Sequence, residues 1–114
     1  MSDEMDSLQN LLSIGSNRLI SALAHPVVLK VLVALHESPA SVSALAERLE
    51  VALPAVSRRL ADLQEFDLVT YQKKGRHRIY ALTPLVHVEL AQEQCVIAVT
   101  AGGTSIRIRY QIRT

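Results

Sequence analysis

Cysteine is almost absent from this sequence. Cys95 is the one cysteine in 114 residues, so the chain cannot form an internal disulfide. A metal site built from thiolates would need other residue types or a second subunit. This use of cysteine is typical of proteins in reducing compartments, and we predict a cytoplasmic location.

Long hydrophobic runs and a secretory signal are also missing. The apolar stretch Val27–Leu35 is interrupted by Lys30 and is far shorter than the about 20 residues that a helix needs to cross a bilayer. The first residues include Asp3, Glu4 and Asp6, whereas a secretory signal begins with positive charge and continues with an apolar core. We therefore predict no association with membranes.

No motif groups a nucleophile with a base and an acid, and the sequence shows no internal repeat. A chain of 114 residues is expected to form one compact domain, because it can bury roughly two thirds of the surface of its unfolded state. An enzyme or a small-molecule carrier would need a sizeable pocket, which so short a chain can build only at a dimer interface. We predict that the protein is not an enzyme and carries no cofactor.

Positive charge is local, although the whole chain is nearly balanced with 12 Lys and Arg against 11 Asp and Glu. The tail holds Arg107, Arg109 and Arg113. The segment 72–80 contains Lys73, Lys74, Arg76 and Arg78 and no acid. Local positive charge is typical of surfaces that bind phosphates. Such a segment by itself can equally be a solvated surface, so the neighbouring elements decide its interpretation.

Apolar residues spaced three and four apart predict a series of helices. A short first helix is expected around Leu8–Leu12 and a second through Leu19–Leu23. The third starts at Pro26, a residue suited to the first helical turn, and ends near Ser38.

Two shorter helices follow, separated by a brief turn at residues 50–52. Ser41 can cap the first of them, which then buries Leu45 and Leu49 on one face. The second starts near Leu53, and at about 100° per residue its outward face consists of Pro54, Ser57, Arg58, Ala61 and Glu65. Two short helices joined by a tight turn form a helix-turn-helix.

From Leu68 the apolar spacing changes to two, which predicts a β-hairpin that reaches Leu82 and has a basic turn around Lys74 and Gly75. A hairpin directly after a helix-turn-helix is called a wing. A second hairpin is predicted in the tail, from Val96–Val99 and Ser105–Arg113. Its isoleucines would share one face and pack inward or across a dimer, because a lone two-stranded hairpin is not stable with that face uncovered.

The segment from Leu85 to about Gln94 has two interpretations. Thr83 and Pro84 are typical of a helix start, which favours a helix. The alternation of Val86, Val88 and Leu90 with polar residues favours a strand instead. The predicted fold class is α+β, mostly helical, with a wing hairpin and an additional C-terminal hairpin.

Four stretches in this order and spacing resemble the arsenic-repressor (ArsR-type) family of winged helix-turn-helix transcriptional regulators. They are ALAHPVVLKVL from Ala22, SVSALAERL from Ser41, LPAVSRRLADL from Leu53 and KGRHRIY from Lys74. The resemblance covers roughly residues 19–84. It implies a homodimeric repressor that binds double-stranded DNA and is released by a small effector. Residues 1–84 would then be the DNA-binding part and 85–114 a dimerisation segment of the same compact domain.

The sequence departs from the family pattern at several positions. The family usually has arginine, glycine, serine, histidine and glycine where this chain has Val28, Glu50, Ala52, Arg59 and Asp67. Loss of the capping serine should cost about 1 kcal/mol, whereas aspartate tolerates the left-handed backbone that glycine would supply. We expect the fold to persist and the DNA specificity to differ from that of relatives.

The resemblance also implies which residues meet DNA. Arg58 is expected to read a guanine in the major groove. Arg76 and Arg78 are expected to lie along the backbone or in the minor groove. The predicted DNA-binding residues are Ser41, Pro54, Ala55, Ser57, Arg58, Arg59, Lys73, Lys74, Arg76, His77 and Arg78. The alternative is a winged helix used only for protein contacts, which would not need this positive charge.

Effector sites known in the family have little support here. The segment Ser38–Leu45 lacks the family's sensing cysteines. Of the acid and histidine ligands used on the C-terminal helix, this chain offers only His87, Glu89 and Glu93. One histidine is few for a metal, so we predict none, with His87 and Glu89 as the weak candidates. Cys95 would sense oxidants only if exposed, and its apolar neighbours favour a buried, inert thiol. His25 and His36 are expected to be packed or hydrogen-bonded.

Overall fold

The computed structural model describes residues 16–101 and 104–111. The predicted helix at Leu8–Leu12 and the end of the tail hairpin at Ile112 and Arg113 lie outside these residues. The described residues form helices α1 to α4 and then strands β1 to β5. Their bounds are α1 Ser16–Leu23, α2 Pro26–Glu37, α3 Val42–Leu49, α4 Leu53–Glu65, β1 Val69–Lys74, β2 His77–Leu82, β3 Val86–Ala91, β4 Gln94–Ala101 and β5 Thr104–Gln111.

Helix α2 begins with a histidine cap. Nδ1 of His25 accepts a hydrogen bond from the Val27 N–H at 3.1 Å, and Pro26 occupies the first turn, where its missing N–H costs nothing. The prediction of a hydrogen-bonded His25 is therefore confirmed. For His36 the prediction is wrong, because α2 buries Leu35 and turns the next residue toward solvent.

Helices α3 and α4 form the predicted helix-turn-helix. Oγ of Ser41 accepts a hydrogen bond from the Ala44 N–H at 3.2 Å, so the predicted cap is present. Glu50 ends α3 in the left-handed conformation with φ 55°, at a position where the family usually has glycine. Ala52 precedes α4 without a side-chain cap, as the sequence implied.

The wing is the antiparallel pair β1–β2, which runs from Val69 opposite Leu82 to Lys74 opposite His77. Gly75 in its turn has φ 63°, a conformation in which a side chain would be strained. The wing is attached to the helix-turn-helix by two backbone hydrogen bonds between Ala40 and Tyr80, of 3.0 and 2.8 Å. The wing and the segment that leads into α3 are therefore joined directly.

Residues 86–91 form a strand, so the helical interpretation of this segment is wrong. Val86 and Val88 are buried, whereas His87 and Glu89 are exposed; a helix would have spread the two valines around its circumference. Pro84 lies in a turn rather than in a first helical turn. The chain then reverses at Gln92, which has φ 51°.

Strands β4 and β5 form the predicted tail hairpin, and β3 extends it to a three-stranded antiparallel sheet in the order β3-β4-β5. Ile97 lies opposite Ile108, and Val99 lies opposite Ile106. Ile97 and Val99 are fully buried, and the two β5 isoleucines pack against the same core. The apolar face of the hairpin is thus covered from within the chain.

We expect Ile97→Ala to destabilise the domain by about 2–5 kcal/mol, because it removes buried methylenes and leaves a cavity. Ile97 is 0% exposed. Arg107→Ala, at an exposed position on the neighbouring strand, is the control and should change the free energy of unfolding by less than about 0.5 kcal/mol. Urea denaturation measures both. Equal, small effects would mean that the sheet is not part of the core.

Candidate nucleic-acid interface

An open groove of about 300 Å³ separates the helix-turn-helix from the wing. Its lining residues are Ser41, Val42, Ser43, Leu53, Arg76, His77 and Arg78. The first turn of α3 and the start of α4 both open onto this groove. Because helix N-termini carry partial positive charge, they add to the charge of the wing arginines and favour an anionic ligand.

Helix α4 presents a short polar face beside the groove. Pro54, Ser57 and Arg58 are exposed, and Ala55 is half-buried. The opposite face is held in the core by Val56, Leu60 and Leu63, all fully buried. Within the described residues Arg58 forms no ion pair, so its guanidinium is free to donate hydrogen bonds to a ligand.

The wing brings together the remaining predicted DNA-binding residues. Lys73, Lys74, Arg76, His77 and Arg78 are all exposed, and the hairpin pairs Lys73 with Arg78 and Lys74 with His77. Cations at this density repel one another unless an anion lies between them. A phosphate backbone supplies that anion at regular intervals.

Arg78 is held by an aromatic pair that the sequence reasoning missed. Its Cζ lies 4.6 Å from the centroid of the Tyr71 ring, and Tyr71 packs on Tyr80 with ring centroids 5.4 Å apart. The pairing of Tyr71 with Tyr80 and of Lys73 with Arg78 puts these side chains on one face of the hairpin. That register is the signal from which the contact could have been found.

Arg59 is not brought together with the other predicted residues. Its Nη1 lies 3.4 Å from Oδ2 of Asp62, and its side chain is 19% exposed. With Arg18 and Phe66 it lines a separate cleft between α1 and α4. In the same cleft an Arg18 guanidinium nitrogen lies 2.8 Å from a Glu65 carboxylate oxygen.

The other candidate residues lie far from the groove in the fold, on the C-terminal sheet. His87 and Glu89 are exposed on the same face of β3. The part of the chain that the structure describes contains no group of three His, Cys, Asp or Glu side chains able to hold a metal ion. Cys95 on β4 is fully buried, as its apolar neighbours predicted.

Known proteins share this arrangement. Residues 23–72 match the family model of a helix-turn-helix domain. The transcriptional repressor SmtB of Mycobacterium tuberculosis is 35% identical over 78 residues, which cover 67% of this chain and 58% of SmtB. The chain thus matches less than two thirds of the length of that relative.

Solved structures share the fold over 71–74% of this chain. The transcriptional regulator HlyU of Vibrio vulnificus is 32% identical with a TM-score of 0.56, covering 71% of this chain and 82% of HlyU. The repressor BigR of Xylella fastidiosa is 27% identical with a TM-score of 0.58, covering 74% and 79%. A homodimeric winged helix-turn-helix domain of Mycobacterium bovis, described as a possible ArsR-family regulator, is 26% identical with a TM-score of 0.55, covering 72% of each chain.

The helix-turn-helix, the wing and the basic groove between them define a winged helix-turn-helix domain. The chain belongs to the ArsR/SmtB family of transcriptional regulators, which confirms the resemblance inferred from the sequence. The matched relatives are regulators and not enzymes, in agreement with the prediction. Among the described helices, none is long and apolar enough to span a bilayer.

Proposed function

We propose that this chain is a transcriptional repressor that binds double-stranded DNA through the groove and its two walls. The observation that carries the proposal is the composition of the site: the wing cations and Arg58 are exposed together, and the groove lining includes no acid. A winged helix used only for protein contacts has no need of this positive surface. SmtB and BigR, both named repressors, support the regulatory role.

In this proposal α4 enters the major groove, which at about 12 Å wide admits one helix. Arg58 reads a base edge, with Pro54, Ala55 and Ser57 against neighbouring bases or sugars. Ser41, at the start of α3, meets a backbone phosphate. The wing residues Lys73, Lys74, Arg76, His77 and Arg78 follow the backbone and the adjacent minor groove.

We also propose that the working form is a homodimer, as stated for the Mycobacterium bovis relative, with segment 85–114 as its dimerisation element. Two-fold symmetry would place the two α4 helices, which are the recognition helices of the proposal, about 34 Å apart over a palindromic site. A small effector that lowers operator affinity and a cytoplasmic location complete the proposal.

The two arginines of the interface should respond differently to substitution by alanine. For Arg58→Ala we expect a loss of about 1–3 kcal/mol in discrimination between operator and random DNA, because a bidentate base contact is lost. For Arg76→Ala we expect weaker binding to both duplexes and a salt dependence reduced by roughly one unit of slope. Fluorescence titrations at several salt concentrations measure these effects.

Lys30→Ala is the matched control for these titrations. Lys30 is an exposed cation on α2 and does not line the groove, so its loss should leave operator affinity nearly unchanged. If Arg58→Ala weakens binding to operator and random DNA equally, Arg58 is not a base-reading residue. If neither arginine variant changes binding, the groove is not the DNA-binding site.

The ring of Tyr71 should increase the contribution of Arg78 to the affinity for DNA. Stacking on the ring restricts a flexible side chain before DNA arrives, so less conformational entropy is lost on binding. Tyr71 is itself held, since it is half-buried and packs against Tyr80. Tyr71 would therefore be a positioning residue rather than a DNA contact.

We expect Tyr71→Leu to weaken DNA binding about two- to fivefold, the size of an exposed cation–π interaction. Tyr71→Phe, which keeps the ring, should bind like the unchanged protein. In the background of Arg78→Ala, Tyr71→Leu should have no further effect on affinity. Additive losses in this double-mutant cycle would show that Tyr71 does not act through Arg78. Thermal unfolding of each variant distinguishes a loss of affinity from a loss of folded protein.

Sedimentation equilibrium tests the oligomeric state directly. We expect a dimer at micromolar concentration, because one short chain presents a single recognition helix and a palindromic operator needs two. A footprint with two half-sites should accompany the dimer on DNA. A chain that stays monomeric both free and on DNA would contradict the homodimer, even if it binds DNA.

A further inference from the structure

The C-terminal sheet has two edge strands, β3 and β5. In the described part of the chain each pairs with β4 alone, so the outer backbone N–H and C=O groups of both strands have no strand partner there. One of them, the Val86 N–H, donates to the carbonyl oxygen of Thr83 at 3.2 Å. An edge of this kind is a template for a strand from another chain.

The two edges differ in what they present. Strand β5 carries the exposed side chains of Arg107 and Arg109, and charges on an edge are a common means of preventing strand pairing. Strand β3 has no Lys, Arg or Pro in Val86–Ala91. It is also regular over its full length, from Val86 opposite Val99 to Ala91 opposite Gln94. Of the two, β3 is the edge open to a partner.

We propose that β3 pairs antiparallel with β3 of a second copy of this chain, about a two-fold axis at Val88. In that register His87 lies beside the partner's Glu89, and the contact occurs twice. Both side chains are exposed in the single chain. The imidazole N–H donates to the carboxylate, so the edge is complementary to itself. This inference rests on the proposed homodimer and specifies the surface that forms it.

The other face of the paired strands supports the same register. Leu90 lies on the face that buries Val86 and Val88, yet it is 44% exposed. Pairing about Val88 places Leu90 beside the partner's Val86 and covers it. A shift of two residues in one direction would instead set Glu89 against the partner's Glu89, a repulsive pair.

Antiparallel pairing of β5 with β5 of a second copy would be unfavourable. Full overlap about Ile108 would set Arg107 against the partner's Arg109 in both symmetric positions, which is repulsive. Pairing through β3 is isologous and closes at two chains. The product is one six-stranded sheet with β5 at both outer edges, where the arginines prevent further growth.

Charge reversal at two exposed positions tests the proposal in the full chain. For His87→Glu alone and for Glu89→Lys alone we expect the dimer dissociation constant to rise roughly five- to tenfold, because two symmetric cross-strand pairs become unfavourable together. In the double variant a glutamate again faces a lysine, and dimerisation should recover. Arg107→Glu, on the same face of the sheet but on the other edge, is the control and should leave the constant unchanged.

Cross-linking tests the register itself. Directly opposed residues of an antiparallel pair have Cα atoms about 4.5–5.5 Å apart, within the range of a disulfide. Oxidation of a variant with both His87→Cys and Glu89→Cys should give a covalent dimer, whereas either single variant should not. Cys95 does not compete, since it is fully buried.

The outcomes separate this inference from the proposed function. A dimer whose dissociation constant is the same in all the charge variants, and which does not cross-link, overturns pairing through β3 while the homodimer stands. A monomer at every concentration overturns both. Recovery in the double charge variant together with cross-linking supports the β3 pair.

Discussion

The packing of α2 is the constraint on which the rest of the structure depends. This helix contacts α1, α3, α4, β2 and β3, and its Val28, Val31 and Leu32 are 0% exposed. The helix-turn-helix and the wing are therefore two separate elements placed against one common support. Because a close-packed interior does not deform continuously, the distance between α4 and the wing is set by this core and not by the loops that join them.

The wing connects the rigid core to the charged groups of the site. The backbone pair between Ala40 and Tyr80 joins β2 to the segment that leads into α3. Tyr80 packs on Tyr71, and the guanidinium of Arg78 lies over the ring of Tyr71. A chain of rigid contacts thus runs from the buried core to an exposed guanidinium. This arrangement places a cation for an anionic ligand without burying its charge, which would be costly.

The apolar face of the C-terminal sheet and the edges of the sheet have different surroundings. Its apolar face belongs to the core of its own chain, since Ile97 and Val99 are fully buried there. The isoleucine face is therefore not the surface left for a partner, although the sequence allowed that choice. The edges of the sheet remain, and they differ in charge, with Arg107 and Arg109 on β5 and Glu89 on β3.

The sequence by itself determined the elements whose signals are local. Helical spacing and the Ser41 cap predicted α2 to α4, and a period of two predicted the wing and the β4–β5 hairpin, because each signal needs only neighbours along the chain. The family resemblance supplied the candidate interface. Only the tertiary structure decided that 86–91 is a strand, because the start signal of Thr83 and Pro84 favoured a helix while the alternation of Val86 and Val88 favoured a strand, and pairing with β4 decides between them. It likewise decided that Arg59 turns toward Asp62 and that Tyr71 supports Arg78, because such contacts depend on packing and strand register between segments that local periodicity does not relate.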